Sequence, residues 1–196
     1  VEPVQVTERL VLRQFTAAGA GDLLVLDGDP RVMRFLEPTI KSRAQIQAQV
    51  LPRLLACYDR YPGFGFWAAH TRTGGAFIGW FGLRPVTPTA GPMVEWPDAP
   101  PGDTAVASLG YRLRASAWGR GYATEGAQAL VRRAFTELGV SRIVATTMAV
   151  NTASRRVLEK AGLTCTRTVH LDWPQPLPGN EHGDVEYQLD RSAWDQ

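Results

Sequence analysis

Nine residues, Trp118-Gly119-Arg120-Gly121-Tyr122-Ala123-Thr124-Glu125-Gly126, have the composition of a turn that can grip an anion. Gly119 and Gly121 let a ligand approach bare backbone, and Arg120 adds positive charge beside them. Just upstream, Ala107, Leu109, Tyr111 and Leu113 alternate with Ser108, Gly110 and Arg112, the period of two that a strand produces. Just downstream, Ala123, Ala127, Leu130, Val131, Ala134, Phe135 and Leu138 recur on one helical face, and Gly139 follows as a C-terminal cap. A strand, a glycine turn and a helix start leave several backbone N–H groups without intrahelical partners, directed where a phosphate can sit. A dinucleotide fingerprint would want a third glycine at Thr124, and a P-loop would want Gly-Lys-Ser/Thr; neither is present. A glycine turn with no ligand satisfies the local pattern equally well.

Other groups could take part in chemistry. Asn151 stands where a helix cap would, and Ser154, three residues on, either supports that cap or offers a hydroxyl to a reaction. Glu125 at a helix start is favoured by the dipole and reads as structural. Glu95, Asp98, Asp103, His170, Asp172 and Glu186 could each receive a proton or hold a cationic acceptor, but as solvated charges they need no such role and spacing selects none. Trp67, Trp80, Trp96 and Trp173 suit an acceptor pocket or a core. Cys165 with His170 would suit a thiol nucleophile, yet five positions along a strand place them on opposite faces. His70 and His182 have no partner pattern.

In order along the chain, Thr7-Glu8-Arg9-Leu10-Val11-Leu12-Arg13, the glycine turn, Asn151-Thr152-Ala153-Ser154 and Val157-Leu158-Glu159-Lys160-Ala161-Gly162 resemble the signatures of the GNAT N-acetyltransferase superfamily. Within it they are most similar to the ribosomal-protein N-terminal acetyltransferase (RimJ/RimL-like) branch. Trp118 replaces the leading Gln or Arg of the superfamily's Gln/Arg-x-x-Gly-x-Gly/Ala pattern, as is usual in this branch. The resemblance spans nearly the whole chain. It implies an α/β (α+β) fold with a mixed, mostly antiparallel six- to seven-stranded sheet flanked by helices. The fourth and fifth strands, here ending near Leu113 and Met148, would splay to admit a pantetheine arm.

The resemblance also implies an activity: transfer of the acetyl group of acetyl-CoA to a primary amine by direct attack, with no acyl-enzyme. The acceptor would be a protein N-terminal α-amine or a small-molecule amine. Cofactor contacts would come from Tyr111, Leu113, Trp118, Gly119, Arg120, Gly121, Tyr122, Ala123, Thr124, Asn151 and Ser154. Acetyl transfer asks for a deprotonated amine, a donor to the developing oxyanion and a proton for the departing thiolate. The implied proton donor is Ser154, because Leu158 occupies the place where the superfamily often has a tyrosine. Ser108 occupies the place of a strand-borne glutamate base. These two departures keep open an acyl-CoA-binding regulatory domain without turnover.

The remaining features bound the class. With 196 residues and 44% hydrophobic content the chain can bury a core and reads as one domain, 1–196. A net charge of +2 from 21 basic and 19 acidic residues gives no electrostatic address for nucleic acid or membrane. Cys57 and Cys165 are isolated, without metal-ligand spacing, so no metal is expected and a reducing, cytoplasmic setting fits. No window approaches 18 apolar residues, and the N-terminal stretch lacks a continuous apolar run. Apolar alternation on the last strand could serve the core or a second copy, which leaves a homodimer open.

The elements expected to carry these groups begin with a strand over 6–13 and a short helix over 22–27. Asp29-Pro30 opens another helix. A further helical pattern runs from Ser42 to Tyr58, broken or kinked at Pro52. A hairpin is expected over 64–70 and 76–83, then an irregular excursion over 85–103, where six prolines fall between positions 85 and 101. Strands over 142–148 and 164–171 flank a helix capped by Asn151 and ended by Gly162, and a connector over 172–184 follows. In the last strand Val185, Tyr187 and Leu189 alternate with Asp184, Glu186 and Gln188, a pattern with one buried face.

Overall fold

Alternating β-branched and aromatic residues produce eight strands, which the computed structural model, describing residues 2–36, 40–87 and 98–195, joins into one sheet. In chain order these are β1 (Pro3–Val6), β2 (Leu10–Gln14), β3 (Gly65–Thr71), β4 (Phe77–Pro85), β5 (Val106–Leu113), β6 (Arg142–Met148), β7 (Thr164–Val169) and β8 (Asp184–Asp190). Their spatial order is β1-β2-β3-β4-β5-β6-β8-β7, and every neighbouring pair is antiparallel except β5 and β6. The helices are α1 (Ala20–Asp27), α2 (Pro30–Met33), α3 (Arg43–Gln45), α4 (Leu51–Arg60), α5 (Tyr122–Thr136), α6 (Thr152–Lys160) and α7 (Arg191–Trp194).

The sheet has one or two strands more than expected, because residues 6–13 do not form a single strand. Thr7 N–H bonds the Leu10 carbonyl at 2.9 Å, so the chain turns back and makes the hairpin β1–β2. Asp29 caps α2 through Oδ1 to Arg31 N, with proline at the first position. The 42–58 pattern stays continuous despite Pro52. A π-type turn over Ile46–Val50 precedes the proline and absorbs the missing N–H without a break. Of the proline-rich excursion, Val86 bridges to Asp98 and Arg84 ion-pairs with Asp98, while 88–97, with Glu95 and Trp96, lie outside the described residues.

Two layers cover the sheet. On one face α5 and α6 bury Leu130, Val131, Ala134, Phe135 and Leu158 against Trp67, Phe81, Ala107, Leu109 and Tyr187. On the other, α1 and the α3–α4 stretch bury Leu23, Ile46 and Leu51 against Phe15 and Ala68. Trp67 is therefore core. The expectation for β8 fails on its polar side: Asp184 and Glu186 are 6% and 2% exposed, so both faces of that strand are covered.

Helix α5 lies directly on the sheet through a glycine contact. A Cβ on Gly126 would stand 2.2 to 2.7 Å from the Phe81 ring, so the helix rests its backbone on the aromatic plane. Gly126→Ala is expected to destabilise the fold by about 1–3 kcal/mol through overpacking, read as a lower denaturant midpoint with an unchanged slope.

Candidate active site

Strands β5 and β6 run parallel but pair only at Val106–Arg142, Ala107–Ile143 and Ser108–Val144. Beyond Ser108 and Val144 they diverge, while β5 stays paired with β4 down to Gly79–Leu113. The edge of β5 facing β6 thus offers N–H and C=O groups to an extended ligand, as a missing strand would. Registered partners share a face, which puts Ser108, Gly110, Thr146, Met148, Asp184 and Glu186 on one side of the gap. Tyr111 points to the other side, toward α6.

At the end of β5 the chain enters the glycine turn. Gly119 and Gly121 both have left-handed backbone, φ +70 and +81, which other residues adopt at a cost. Gly121 is the N-terminal cap of α5 and no side chain caps that end, so the first-turn amides of Tyr122, Ala123 and Thr124 stay open to a ligand. A Cβ at Gly119 would meet nothing within 4 Å, so the turn faces open space. Trp118 Nε1 donates to the Leu113 carbonyl at 2.8 Å and folds the turn onto the strand end.

On the β4 side of the turn lies a cavity of about 560 Å³, with Arg9, Arg114, Arg120 and Ser116 among its walls. The gap lies on the β6 side, so the turn separates an arginine-rich recess from an open strand edge. Tyr122 itself is buried beneath the Arg9 and Arg120 guanidiniums, 4.8 and 5.2 Å from its ring centre.

Glu125 in the first turn of α5 holds this arrangement. Its Oε1 accepts from Thr7 Oγ at 2.5 Å and from Arg9 N at 2.8 Å, and its Oε2 pairs with Arg9 Nε at 2.6 Å. Arg9 then donates to the Arg120 carbonyl at 2.8 Å. Burial pushes the Glu125 carboxyl up, but the bonds from Thr7 and Arg9 and the charge of Arg9 outweigh it and leave the pKa lowered.

Across the gap, the Tyr111 hydroxyl lies 3.0 Å from both the Ser154 carbonyl, to which it donates, and Ser154 Oγ. Burial raises the Tyr111 pKa well above the ordinary value, against a smaller lowering from Ser154. Asn151 Oδ1 accepts from Ser154 N at 3.2 Å and so caps α6. Leu158 is buried in the core. Of the other groups considered, Asp98 is paired with Arg84 and Glu186 with Arg167. Cys165 is an exposed free thiol on β7, and five residues of extended strand separate it from His170 by about 16 Å. Sequence reasoning passed over Asp184, whose position in an alternating strand looks like solvated surface.

Residues 9–164 match the family model of the acetyltransferase (GNAT) domain. The chain belongs to the GNAT acetyltransferase family. It is an acetyl-CoA-dependent N-acetyltransferase. It is 38% identical over 172 residues to the FsC-acetyl coenzyme A-N(2)-transacetylase of Aspergillus fumigatus, covering 86% of this chain and 68% of that one. An uncharacterized Bacillus subtilis protein, YkkB, is 28% identical over 88% of this chain and 91% of its own. Among solved structures, RimL, a ribosomal L7/L12 alpha-N-protein acetyltransferase in complex with coenzyme A, superposes with a TM-score of 0.76 at 18% identity, over 98% of this chain and 99% of that one. The aminoglycoside acetyltransferase AAC(6')-Ib with coenzyme A gives 0.69 at 22%, over 95% and 97%. At these identities the two structures establish the fold of this GNAT enzyme and nothing finer. Among the described residues no helix is long and apolar enough to cross a membrane.

The lowered pKa of Glu125 sets an acid limit on the clamp. A depressed carboxyl contributes stability that is full above its unfolded pKa of about 4.3 and is lost as pH falls through the lower folded value. Glu125→Gln is therefore expected to be less stable than wild type by about 1–2 kcal/mol at pH 6. The gap between the two denaturation midpoints should close as pH is lowered toward 3.

Proposed function

We propose that this acetyltransferase acts on a small molecule whose amine sits on the carbon next to a carbonyl, an N(2)-type amine. The observation that carries the reading is Ser108, the last β5 residue paired with β6 before the gap opens, where the family often places a glutamate base. An alkyl ammonium with a pKa near 10.4 is about one part in a thousand free base at pH 7.5, whereas an α-amine near 7.8 is about one third free base. A site lacking the strand carboxylate matches the second kind of amine. The name of the Aspergillus fumigatus relative, an N(2)-transacetylase, points the same way. A peptide N-terminus shares the same basicity and is the alternative acceptor.

The chain's own groups fit a long anionic ligand: an uncapped helix start, two left-handed glycines, an arginine-lined recess and a free strand edge. Acetyl-CoA supplies an activated thioester. In this reading the backbone of Gly119 to Gly121 and the amides of Tyr122, Ala123 and Thr124 hold its pyrophosphate, and Arg120 offsets the charge. Leu113 closes the end of β5 that has left β6 and stays paired with β4, and Trp118 keeps that end folded against the turn. Asn151 fixes the start of α6, which sets Ser154 against Tyr111. The Tyr111 hydroxyl, kept protonated by burial, and the Ser154 hydroxyl hold a proton on the α6 side of the gap for the leaving sulfur. We also infer that residues 1–196 act as one domain, supported by a sheet that takes strands from both ends of the chain.

In a thiol-release assay with acetyl-CoA at pH 7.5, amino-acid amides and esters are expected to give kcat/KM at least about 100-fold above alkyl monoamines and polyamines, in line with the free-base fractions. Equal rates would reject the acceptor class, and a preference for peptides over amino-acid amides would select the alternative. Tyr111→Phe is expected to lower kcat by about 10²-fold, the scale of one proton-transfer group, with the KM for acetyl-CoA little changed.

A further inference from the structure

Asp184 opens β8, is 6% exposed, and its Oδ2 has no hydrogen-bond partner. Trp173, in the connector between β7 and β8, likewise has a buried Nε1 without an aligned partner. The Trp173 indole lowers the Asp184 carboxyl as a hydrogen-bond donor, out of ideal alignment, and the charge of His170 lowers it too, yet burial dominates and raises it. Buried polar atoms left without aligned partners are costly, which makes them candidates to bind something else. Glu186 differs: two residues along the same face, it bonds Arg167 Nε at 2.6 Å and Nη2 at 3.3 Å. Among the described residues Asp184 forms no ion pair.

The location ties this pair to the reaction. Asp184 is in register with Met148 at the open end of β6 and with Val169 at the end of β7. It shares the face of Ser108, Gly110 and Thr146, opposite the side from which Tyr111 reaches Ser154. An amine attacking from this face has no carboxylate on β5 to receive its proton, and Asp184 is the buried carboxylate without a counter-charge on the neighbouring strands. A carboxylate oxygen next to an N–H donor also complements an ammonium next to a carbonyl.

We infer that Asp184 receives the acceptor's ammonium and takes its proton, while Trp173 Nε1 donates to the carbonyl beside that amine. In the step, one N–H bond of the ammonium breaks, an O–H bond forms on Oδ2, and the electron pair stays on nitrogen as the nucleophile. Both atoms are covered in the free chain, so the acceptor reaches them by shifting the 170–183 connector, which contains the left-handed Gly179 and Gly183. The inference deepens the proposed function and rests on it for the acceptor's carbonyl.

The test compares Asp184→Asn with wild type on an amino-acid amide and on a hydroxylamine-type acceptor whose nitrogen is uncharged at neutral pH. Coenzyme A affinity by calorimetry serves as the control for folding. The expected result at pH 6, where an α-amine near 7.8 is only about 2% free base, is a loss in kcat/KM of about 50-fold on the ammonium acceptor, at most a small loss on the uncharged one, and unchanged coenzyme A binding. No loss on either acceptor, or equal losses on both, overturns it. Trp173→Phe is expected to raise KM about tenfold for the amide, one hydrogen bond's worth, and to leave a carbonyl-free amine unaffected; equal effects on both overturn the carbonyl contact. If Asp184→Asn fails to fold, Asp184→Ser takes its place in the same comparison. If wild type acetylates alkyl amines but no α-amine, the acceptor class falls, and the role of Asp184 is still read from the charged-to-uncharged ratio on that alkyl acceptor.

Discussion

The Glu125 carboxylate joins two segments more than a hundred residues apart in sequence, and the geometry around the glycine turn depends on that junction. Thr7 and Arg9 approach it from the β1–β2 turn, and Arg9 continues to the Arg120 carbonyl and the face of Tyr122. An acidic side chain in the first turn of a helix is already favoured by the dipole. Here it also spends its lone pairs on a hairpin, so the helix amides remain free for a ligand. The start of α5 is stabilised from behind and left open in front.

The second constraint is the parallel pairing of β5 and β6. Only three residue pairs join them, and the sheet twist that continues through the antiparallel neighbours on either side carries their ends apart. In the proposed reading the resulting gap divides the chemistry between two faces. The proton for the leaving sulfur is held on the α6 side by Tyr111 and Ser154 in the proposed reading, and the amine arrives from the side of Ser108. A buried hydroxyl and a buried carboxylate can then both be protonated above the pH their types would ordinarily allow, without sharing one environment.

Much of this was legible in local pattern. Gly119 and Gly121 announced a turn, and both are left-handed. The period of two before them and of 3.6 after them became β5 and α5, and Asn151 caps α6 as its type and position required. Of the strand expected over 6–13, only the part from Leu10 joins β2, because Thr7-Glu8-Arg9 holds no Gly or Pro to announce the turn that the Thr7–Leu10 bonds and the contacts to α5 and β3 hold. Asp184 and Glu186 read as a wet face because alternation reports polarity and not coverage. Trp173 of the preceding connector meets Asp184, and Arg167 of β7 meets Glu186.

The sequence by itself therefore determined most of the elements, the place of the glycine turn and the family, since each follows from residues within a few positions of one another or from motifs in fixed order. Tertiary structure decided which polar groups lost water and which found partners. Glu125, Glu186 and Asp184 are all acidic residues in regular elements, yet one clamps a hairpin, one pairs with an arginine and one is buried with an oxygen that lacks an aligned partner. That difference comes from desolvation and from neighbours brought in over long sequence separations, and neither is written in the spacing of nearby residues.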